Sequence, residues 1–288
     1  MPQSKYLPKN LWVELSNHCN LKCIFCFHHS GAMTRPKGFM SLETFNLICV
    51  IWSLVGVSSF ILLQFIRAPY GRHLRKGWGT EIPNNLGWVL MEVPSFLIIL
   101  YFFVSYNQSH YAAMLSILWL IHYFNRTFIF PFRIRTKKKK MPLTIVLSAI
   151  GFNFMNAGLN GYFLAFFDRY SAANFESWNF YAGLVLFILG LIVNQVSDHL
   201  LINLRKPEET GYKIPQGFLF NYISCPNYLG EIVQWIGFAL MAWNFPALTF
   251  LIWTAANLLP RVSGHHQWYQ DHFKDYPKNR KALIPRIW

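Results

Sequence analysis

Three side chains capable of acid–base chemistry lie inside long apolar stretches of this 288-residue chain: Glu92, Tyr123 and Arg126. Ionisable groups in such stretches are costly to bury and are usually functional. Desolvation favours the neutral, protonated form of a carboxyl group, which can then donate a hydrogen bond to a ligand carbonyl. An ion pair between Glu92 and Arg126 that only braces two helices explains the same pattern equally well.

Glu92 and Tyr123 are predicted to lie at the same depth. Glu92 is six residues from one end of its apolar stretch, and Tyr123 is seven to nine residues from the matching end of the next one. At a rise of about 1.5 Å per residue, both side chains sit roughly 10 Å below the same face. Antiparallel neighbouring helices would therefore present the carboxyl and the phenol to one cavity.

The second half of the chain adds polar residues near the ends of apolar stretches: Asn194, Asp198, Arg205, Tyr212, Asn227, Glu231 and, in the tail, His265, Tyr269 and Arg280. Asn194 and Asp198 are four residues apart and share one helix face. A polar stripe that leads into an arginine-containing loop suits a long ligand with an anionic end, because arginine and histidine make charge-assisted contacts to phosphate. An ordinary helix exit with snorkelling side chains is the alternative.

Two common kinds of site are not indicated. The adjacent His265 and His266 point to different helix faces, and no carboxylate completes a ligand set, so we predict no metal. Gly77 and Gly79 lack the third glycine of a dinucleotide fingerprint, and no strand–helix unit surrounds them. Any nucleotide site must therefore be of a non-Rossmann type.

The elements that position these residues are apolar helices. The chain is 53% hydrophobic and only 13% charged, about half the charged fraction of soluble domains. Stretches of about 20 apolar residues are long enough to cross a bilayer. The fold class predicted is an all-α polytopic membrane protein with seven transmembrane helices, at 45–66, 86–104, 111–130, 142–167, 180–196, 229–243 and 245–259.

The distribution of charge predicts the topology. Of the 26 Lys and Arg residues, 19 fall in four segments: 67–85, 131–141, 197–228 and 261–288. With seven spans these segments share one side, which the positive-inside rule assigns to the cytoplasm. The net charge of +14 then faces anionic lipid headgroups, so no nucleic-acid partner is expected. The polar cluster and the C-terminus should face the cytoplasm.

The first 44 residues do not fit this domain. Cys19, Cys23 and Cys26 resemble the cluster-binding loop of radical S-adenosylmethionine enzymes, whose three thiolates hold a four-iron cluster. The barrel that such enzymes need is missing, because an apolar span follows at once. We therefore divide the chain into an extra N-terminal segment, 1–44, expected to be non-functional, and a seven-helix membrane domain, 45–288.

From Tyr70 to Trp288 the chain resembles the steroid 5α-reductases. The shared pieces are Tyr-Gly-Arg-His from Tyr70, Glu-Val-Pro-Ser-Phe from Glu92, His-Tyr-Phe-Asn-Arg-Thr-Phe from His122, Leu-Arg-Lys-Pro from Leu204, Tyr-Lys-Ile-Pro-Gln-Gly from Tyr212, Asn-Tyr-Leu-Gly-Glu from Asn227 and Asp-Tyr-Pro-Lys from Asp275. The resemblance implies NADPH-dependent reduction of the Δ4 bond of a 3-oxo-Δ4-steroid, with Glu92 and Tyr123 on the C3 carbonyl. It also implies an NADPH site of Tyr70, Arg126, Asn194, Asp198, Arg205, Tyr212, Asn227, Glu231, His265, Tyr269 and Arg280.

One residue departs from the pattern, and the substrate has alternatives. Met91 stands where animal members commonly have glutamine, and methionine cannot donate a hydrogen bond. The same fold could reduce a long-chain 2-enoyl thioester or a sterol ring alkene, and a non-catalytic lipid-binding protein is a third hypothesis. The expected partners are a steroid-like enone and membrane lipid, and the chain is expected to be a monomer.

Overall fold

A computed structural model describes residues 40–288 except 67–68, 70, 76, 136–138, 169, 207–208 and 210. The cysteine-containing segment Cys19–Cys26 and the predicted cofactor residue Tyr70 lie outside the described residues. The expectations for them therefore remain predictions.

The described part of the chain is mostly helical. Its helices are α1 (Leu42–Phe65), α2 (Asn84–Ser105), α3 (His110–Phe124), the short α4 (Phe130–Arg133), α5 (Leu143–Tyr162), α6 (Trp178–Asn203), α7 (Pro226–Ala242) and α8 (Phe245–His272). One π-helical turn, Asn125–Ile129, joins α3 to α4, and another, Phe163–Phe167, extends α5. Short 3₁₀ turns occur at Gly71–His73, Ala172–Glu176 and Phe218–Asn221.

Polar caps set several helix starts. The side chains of Ser41, Ser109 and Asn244 accept hydrogen bonds from backbone N–H groups three residues later, at 3.2, 3.1 and 2.9 Å. Each cap satisfies one of the donors that a helix N-terminus leaves free. The apolar stretches therefore become helices whose first turns are fixed by side chains on the chain just before them.

A small antiparallel sheet, which the all-α prediction lacked, ties two helices together. Strand β1 (Glu81–Pro83) pairs with β2 (Lys140–Pro142), with Ile82 opposite Met141. Helix α2 begins directly after β1, and α5 begins directly after β2. The sheet therefore aligns the starts of α2 and α5, and α2 carries Glu92 into the interior.

Helices α6 and α7 make the closest helix pair. A Cβ atom placed on Gly190 would lie 2.2 Å from the backbone nitrogen of Gln234, and one on Gly230 would lie 2.4 Å from that of Asn194. Only glycine permits this approach, because both neighbours are backbone atoms. The close contact sets Asn194 and Asp198 of α6 against the start of α7.

Five segments among the described residues are long and apolar enough to cross a membrane: Leu42–Phe65, Asn84–Ser105, His110–Arg133, Leu143–Phe167 and Trp178–Asn203. These five agree with the first five predicted spans. Helix α7, with 17 residues, and α8 are not among them, so the prediction of seven spans is confirmed only in part.

Two predicted ends were wrong. Helix α6 runs seven residues beyond the predicted end at Val196, because Ser197 and Asp198 are buried rather than exposed at a helix exit. Helix α8 continues thirteen residues past Leu259 to His272. Pro260 removes one backbone N–H without ending the helix, so the first part of the predicted tail is helical.

Candidate functional site

Arg126 is the centre of a buried charge cluster. Its guanidinium lies 3.4 Å from the Asp198 carboxylate and 3.9 Å from that of Glu92, and Glu231 is also within electrostatic reach. The guanidinium carbon stacks over the rings of Trp88 and Phe130, at 5.0 and 4.7 Å. Helices α2, α6 and α7 therefore each direct a carboxyl group towards one cation.

The π-helical turn Asn125–Ile129 carries that cation. Such turns insert an extra residue into a helix and occur frequently at functional sites. Here the turn begins two residues after Tyr123, and the Asn125 side chain accepts a hydrogen bond from Gln195 of α6 at 3.3 Å. The turn thus joins the end of α3 to α6 at the level of Asp198.

Glu92 and Tyr123 are both interior residues. The Glu92 side chain is 13% exposed and Tyr123 is 5% exposed, and the two groups lie within electrostatic reach of one another. The Tyr123 ring stacks on Trp119 with centroids 5.3 Å apart. The predicted carboxyl–phenol pair therefore faces the protein interior, next to Arg126, rather than lipid.

A cavity of about 210 Å³ opens beside Arg126. It collects five of the predicted cofactor residues in its wall: Arg126, Asp198, Arg205, Asn227 and Glu231. The remaining wall includes Trp88, Phe130 and Ile134, which also line a second, larger cavity of about 670 Å³. The two cavities are therefore neighbours that share one wall.

The larger cavity is lined by cationic and aromatic groups. Its wall includes Arg72, His73, Trp88, Lys139, Lys140, Tyr212, Arg261 and His265. Of the predicted residues, Tyr212 and His265 line it directly. The positive lining and the volume suit an elongated anionic ligand, since small-molecule sites range from about 300 to 1,000 Å³.

An aromatic cage holds Arg72 at this cavity. Its guanidinium carbon lies 4.6 Å from the ring centroids of Trp268 and Tyr269 and 5.3 Å from that of Tyr212. One terminal nitrogen donates to the Tyr269 hydroxyl at 3.2 Å. The other, Nη1, is buried without a hydrogen-bond partner among the described residues. Buried donors of this kind call for a partner that a ligand or water supplies.

His265 is a neutral histidine in the same wall. Burial lowers its pKa well below the usual range, and the positive charges of Arg72, His73 and Arg261 lower it further. The Tyr228 hydroxyl lies 3.2 Å from Nε2. In the described part of the chain Nδ1 is buried and has no partner; in the tautomer in which Nε2 accepts from Tyr228, Nδ1 carries the proton and can donate to an anion.

The tail beyond α8 braces the site from outside the cavities. Arg280 is buried, donates to the Pro215 carbonyl at 3.0 Å and stacks on Tyr276 at 5.1 Å. The Ser224 hydroxyl lies 2.6 Å from both the Tyr276 hydroxyl and Nδ1 of His266. These bonds hold the turn at Pro215 and the start of α7.

The described members of the predicted cofactor set thus divide into three groups, whereas Glu92 and Tyr123, which were expected to face a cavity, line neither of these two cavities. Seven line the cavities, and Tyr269 reaches the larger cavity through Arg72. Asn194 and Arg280 are not in either wall: Asn194 donates to the Asn227 carbonyl at 3.0 Å, and Arg280 holds Pro215. Met91 packs with Met141 and Val146, so its role here is apolar packing between α2 and α5.

Sequence reasoning missed Arg72 and Lys139 as lining residues. Arg72 stands in the quoted Tyr-Gly-Arg-His piece, and Lys139 belongs to the run of four lysines that ends at Lys140. Lys139 approaches Tyr212 with Nζ 4.8 Å from the ring centroid. The signals that could have identified them were the match of the Tyr-Gly-Arg-His piece to the family and the high charge of the lysine run. The cavity that brings the two residues together was not predictable from the sequence.

Fold and site together define a helical membrane protein with an interior ionisable cluster beside a cation-lined cavity. A sequence model described as 3-oxo-5-alpha-steroid 4-dehydrogenase matches residues 139–288. The chain belongs to the 3-oxo-5-alpha-steroid 4-dehydrogenase family.

Individual relatives agree with this assignment. Steroid 5-alpha-reductase DET2 of Gossypium hirsutum is 40% identical over 244 residues, covering 82% of this chain and 94% of the relative. The 3-oxo-5-alpha-steroid 4-dehydrogenase 1 of Rattus norvegicus is 38% identical, covering 86% and 98%. The 3-oxo-5-alpha-steroid 4-dehydrogenase 2 of Homo sapiens is 38% identical, covering 82% and 94%. The prediction of a membrane oxidoreductase of steroid metabolism is confirmed, and the non-catalytic hypothesis is not supported.

Proposed function

We propose that this chain reduces the Δ4 bond of 3-oxo-Δ4-steroids to give 5α-dihydrosteroids, with NADPH as the reductant. The observation that carries the proposal is the interior placement of Glu92 and Tyr123 together beside Arg126, which lines the smaller cavity that adjoins the cation-lined one. The carboxyl and the phenol suit a ketone oxygen, and the cations suit the phosphates of a dinucleotide.

The described residues fit NADPH. The two adjoining cavities, the aromatic surfaces and the buried donors of Arg72 and His265 match a long ligand with planar rings and anionic groups. The residues that would hold it are Tyr70, Arg126, Asn194, Asp198, Arg205, Tyr212, Asn227, Glu231, His265, Tyr269 and Arg280, together with Arg72. Asn194 and Arg280 would act by holding Asn227 and Pro215. When bound, NADPH supplies a hydride for the C5 position of the steroid.

Glu92 and Tyr123 would act on the substrate ketone. Each donates a hydrogen bond to the C3 carbonyl oxygen, which draws electron density from C5 and stabilises the enolate that forms before C4 takes a proton. Donors fixed in a water-poor interior give the largest electrostatic contribution to such steps. Glu92 must hold its proton to donate; the low exposure of its side chain, 13%, favours this neutral form, whereas Arg126, 3.9 Å away, opposes it while also pairing with Asp198 at 3.4 Å.

We also propose that α7 and the first half of α8 complete seven spans. Lys139, Lys140, Arg205 and Arg261 would then share the cytoplasmic side with the larger cavity, as the positive-inside rule requires. A soluble cytoplasmic cofactor would reach the cation-lined cavity from that side, whereas the steroid would reach Glu92 from the lipid.

Product analysis tests the proposal. Purified protein is incubated with NADPH and testosterone, and the products are separated and identified against the 5α- and 5β-dihydro standards. We expect the 5α product. Parallel reactions with a long-chain 2-enoyl thioester and a sterol ring alkene separate the related reductase hypotheses. Turnover of either of these, with no reduction of testosterone by folded protein, would overturn the steroid assignment.

A further inference from the structure

Gln234 and Trp235, consecutive residues of α7, contact His122 and Tyr123, consecutive residues of α3. Nδ1 of His122 lies 3.1 Å from Oε1 of Gln234. The ring of Trp235 contacts both His122, at 4.8 Å between centroids, and Tyr123, at 6.0 Å. The side chains of His122 and Gln234 are 2% and 0% exposed, so no bulk water replaces their hydrogen bond.

We infer that Gln234 is a positioning residue for Tyr123, acting through His122, an inference that rests on the proposed role of Tyr123. Oε1 of Gln234 accepts the Nδ1 proton of a neutral His122, which fixes the imidazole and with it the rotation of α3 about its own axis. Tyr123 is the next residue along that helix, so the same bond fixes the direction in which its phenol points.

The backbone that carries Gln234 is held in place by α6. The α7 backbone at Gln234 is pressed against Gly190 of α6, where an added Cβ would lie 2.2 Å from the Gln234 nitrogen. Gln234 therefore cannot follow a movement of α3. The side of α3 that faces α7 is held by this acceptor, and the Trp235 ring of the same helix packs beside the Tyr123 ring, with centroids 6.0 Å apart.

The end of α3 needs such support because its own hydrogen-bond ladder changes there. The N–H of Asn125 is shared between the carbonyls of His122 and Ile121, and the π turn Asn125–Ile129 follows. A phenol oxygen lies roughly 9 Å from a helix axis, so a rotation of about 10° displaces it by about 1.5 Å, which is enough to break a hydrogen bond. An error of that size in a catalytic group can cost about a hundredfold in rate.

The chain offers a matched control. Gln108 precedes α3, and its Oε1 accepts a hydrogen bond from Ser116 of the same helix at 2.9 Å. Like Gln234, it has an Nε2 atom that is buried without a partner among the described residues. It differs in lying two turns or more from Tyr123 and on the opposite end of α3. Gln108→Met and Gln234→Met therefore each remove one hydrogen bond accepted by Oε1 and retain a similar side-chain shape, but only Gln234→Met removes a bond between α7 and α3.

The experiment compares Gln234→Met, Gln108→Met and Gln234→Glu for steroid turnover, NADPH KM and melting temperature. We expect Gln234→Met to lower kcat by about ten- to a hundredfold with the NADPH KM nearly unchanged, while Gln108→Met keeps wild-type kcat. Gln234→Glu should recover kcat to within about threefold, because burial at 0% exposure favours the neutral carboxyl, whose carbonyl oxygen still accepts the His122 proton.

Failure of the positioning role and failure of the proposed function give different results. Equal kcat for Gln234→Met and Gln108→Met, or no recovery in Gln234→Glu despite a wild-type melting temperature, would overturn the positioning role. Absence of steroid reduction by the wild-type protein would instead overturn the proposed function. A double-mutant cycle on melting temperature tests the His122–Gln234 bond independently of turnover: His122→Asn and Gln234→Met should be strongly non-additive, and additive effects would overturn the positioning role.

Discussion

Replacement of Gly230 by alanine should separate α6 from α7 and weaken the cofactor end of the site. The new Cβ would lie 2.4 Å from the Asn194 nitrogen and 2.7 Å from the Gly190 carbonyl oxygen, whereas ordinary contacts begin at 3.4 Å. Both neighbours are backbone atoms, so no side-chain rotation relieves the clash. The helices must move apart by about 1 Å, which overpacking studies associate with a cost of about 1–3 kcal/mol.

Two further contributions enter the stability change. The Asn194 side chain donates to the Asn227 carbonyl at 3.0 Å, and a shift of about 1 Å breaks that bond at a cost of about 1 kcal/mol. Alanine has a higher helix propensity than glycine, which stabilises the folded protein by about 1 kcal/mol and offsets part of this loss. With the clash at the upper end of its range, the net loss is about 3 kcal/mol, equivalent to a melting temperature lower by roughly 6–12 °C.

Gly158→Ala is the matched control. Gly158 is also a helical glycine, but a Cβ there meets no atom of the described residues within 4 Å. It should therefore gain up to about 1 kcal/mol from helix propensity alone. The assay is thermal unfolding in detergent by intrinsic fluorescence, with NADPH affinity measured on the same samples. If Gly230→Ala is as stable as Gly158→Ala and binds NADPH normally, the close α6–α7 contact does not position the cofactor residues.

Three further predictions concern the cation-lined cavity and the tail. Arg72→Gln should weaken NADPH binding about tenfold or more, since a charge-assisted bond contributes about 1.5–3 kcal/mol. The control, Arg75→Gln, alters an exposed arginine stacked on Trp78 and should leave NADPH binding unchanged. Cofactor fluorescence measures the affinity of both variants. Arg280→Ala should weaken NADPH binding and expose the Pro215 turn to limited proteolysis, and an unchanged cleavage pattern would contradict the bracing role. Burial and the positive charges of Lys281 and Arg280 lower the pKa of His266 in the folded protein. The unfolded chain therefore binds a proton at His266 more readily than the folded protein does. As a result, the free energy of unfolding should fall as pH drops below about 6.5. His266→Asn should reduce that pH dependence of the melting temperature, and a wild-type pH dependence in this variant would argue against it.

The first five spans and the interior position of the chemical residues could be predicted from the sequence, because they depend on local composition and on helix geometry. Apolar length located the first five spans to within a few residues at most ends. Residue counts alone predict the equal depth of Glu92 and Tyr123, and the structure shows low exposure of both, 13% for the Glu92 side chain and 5% for Tyr123. The shared helix face of Asn194 and Asp198 follows from their spacing in the same way.

Pairings between distant elements could not be predicted. The sequence suggested Glu92 as the partner of Arg126, but the guanidinium lies closer to Asp198, and that choice depends on how α6 packs. Arg72 meets Tyr269 across 197 residues of chain. The π turn at Asn125 is a slip of one hydrogen bond, which tertiary contacts decide and composition does not encode.

The ends of α6 and α8 show the limits of reading polarity as exposure. Asp198 and Ser197 are polar, but α6 continues because both are buried against neighbouring helices. His265 and His266 were assigned to a tail beyond the last span at 245–259, but α8 continues through Pro260 and carries them to the cavity and to Ser224. In both cases the polar side chains are surrounded by residues distant in sequence rather than by water. The positions of those residues in the fold cannot be read from the sequence.

The most direct measurement compares Glu92→Gln and Tyr123→Phe with the wild-type protein for NADPH affinity and for steroid turnover in the same preparation. The account predicts NADPH affinity within about threefold of wild type, because neither side chain lines the cation-lined cavity, and turnover lower by about a hundredfold or more. Turnover close to the wild-type rate in either variant would contradict the assignment of the ketone to this buried carboxyl and phenol.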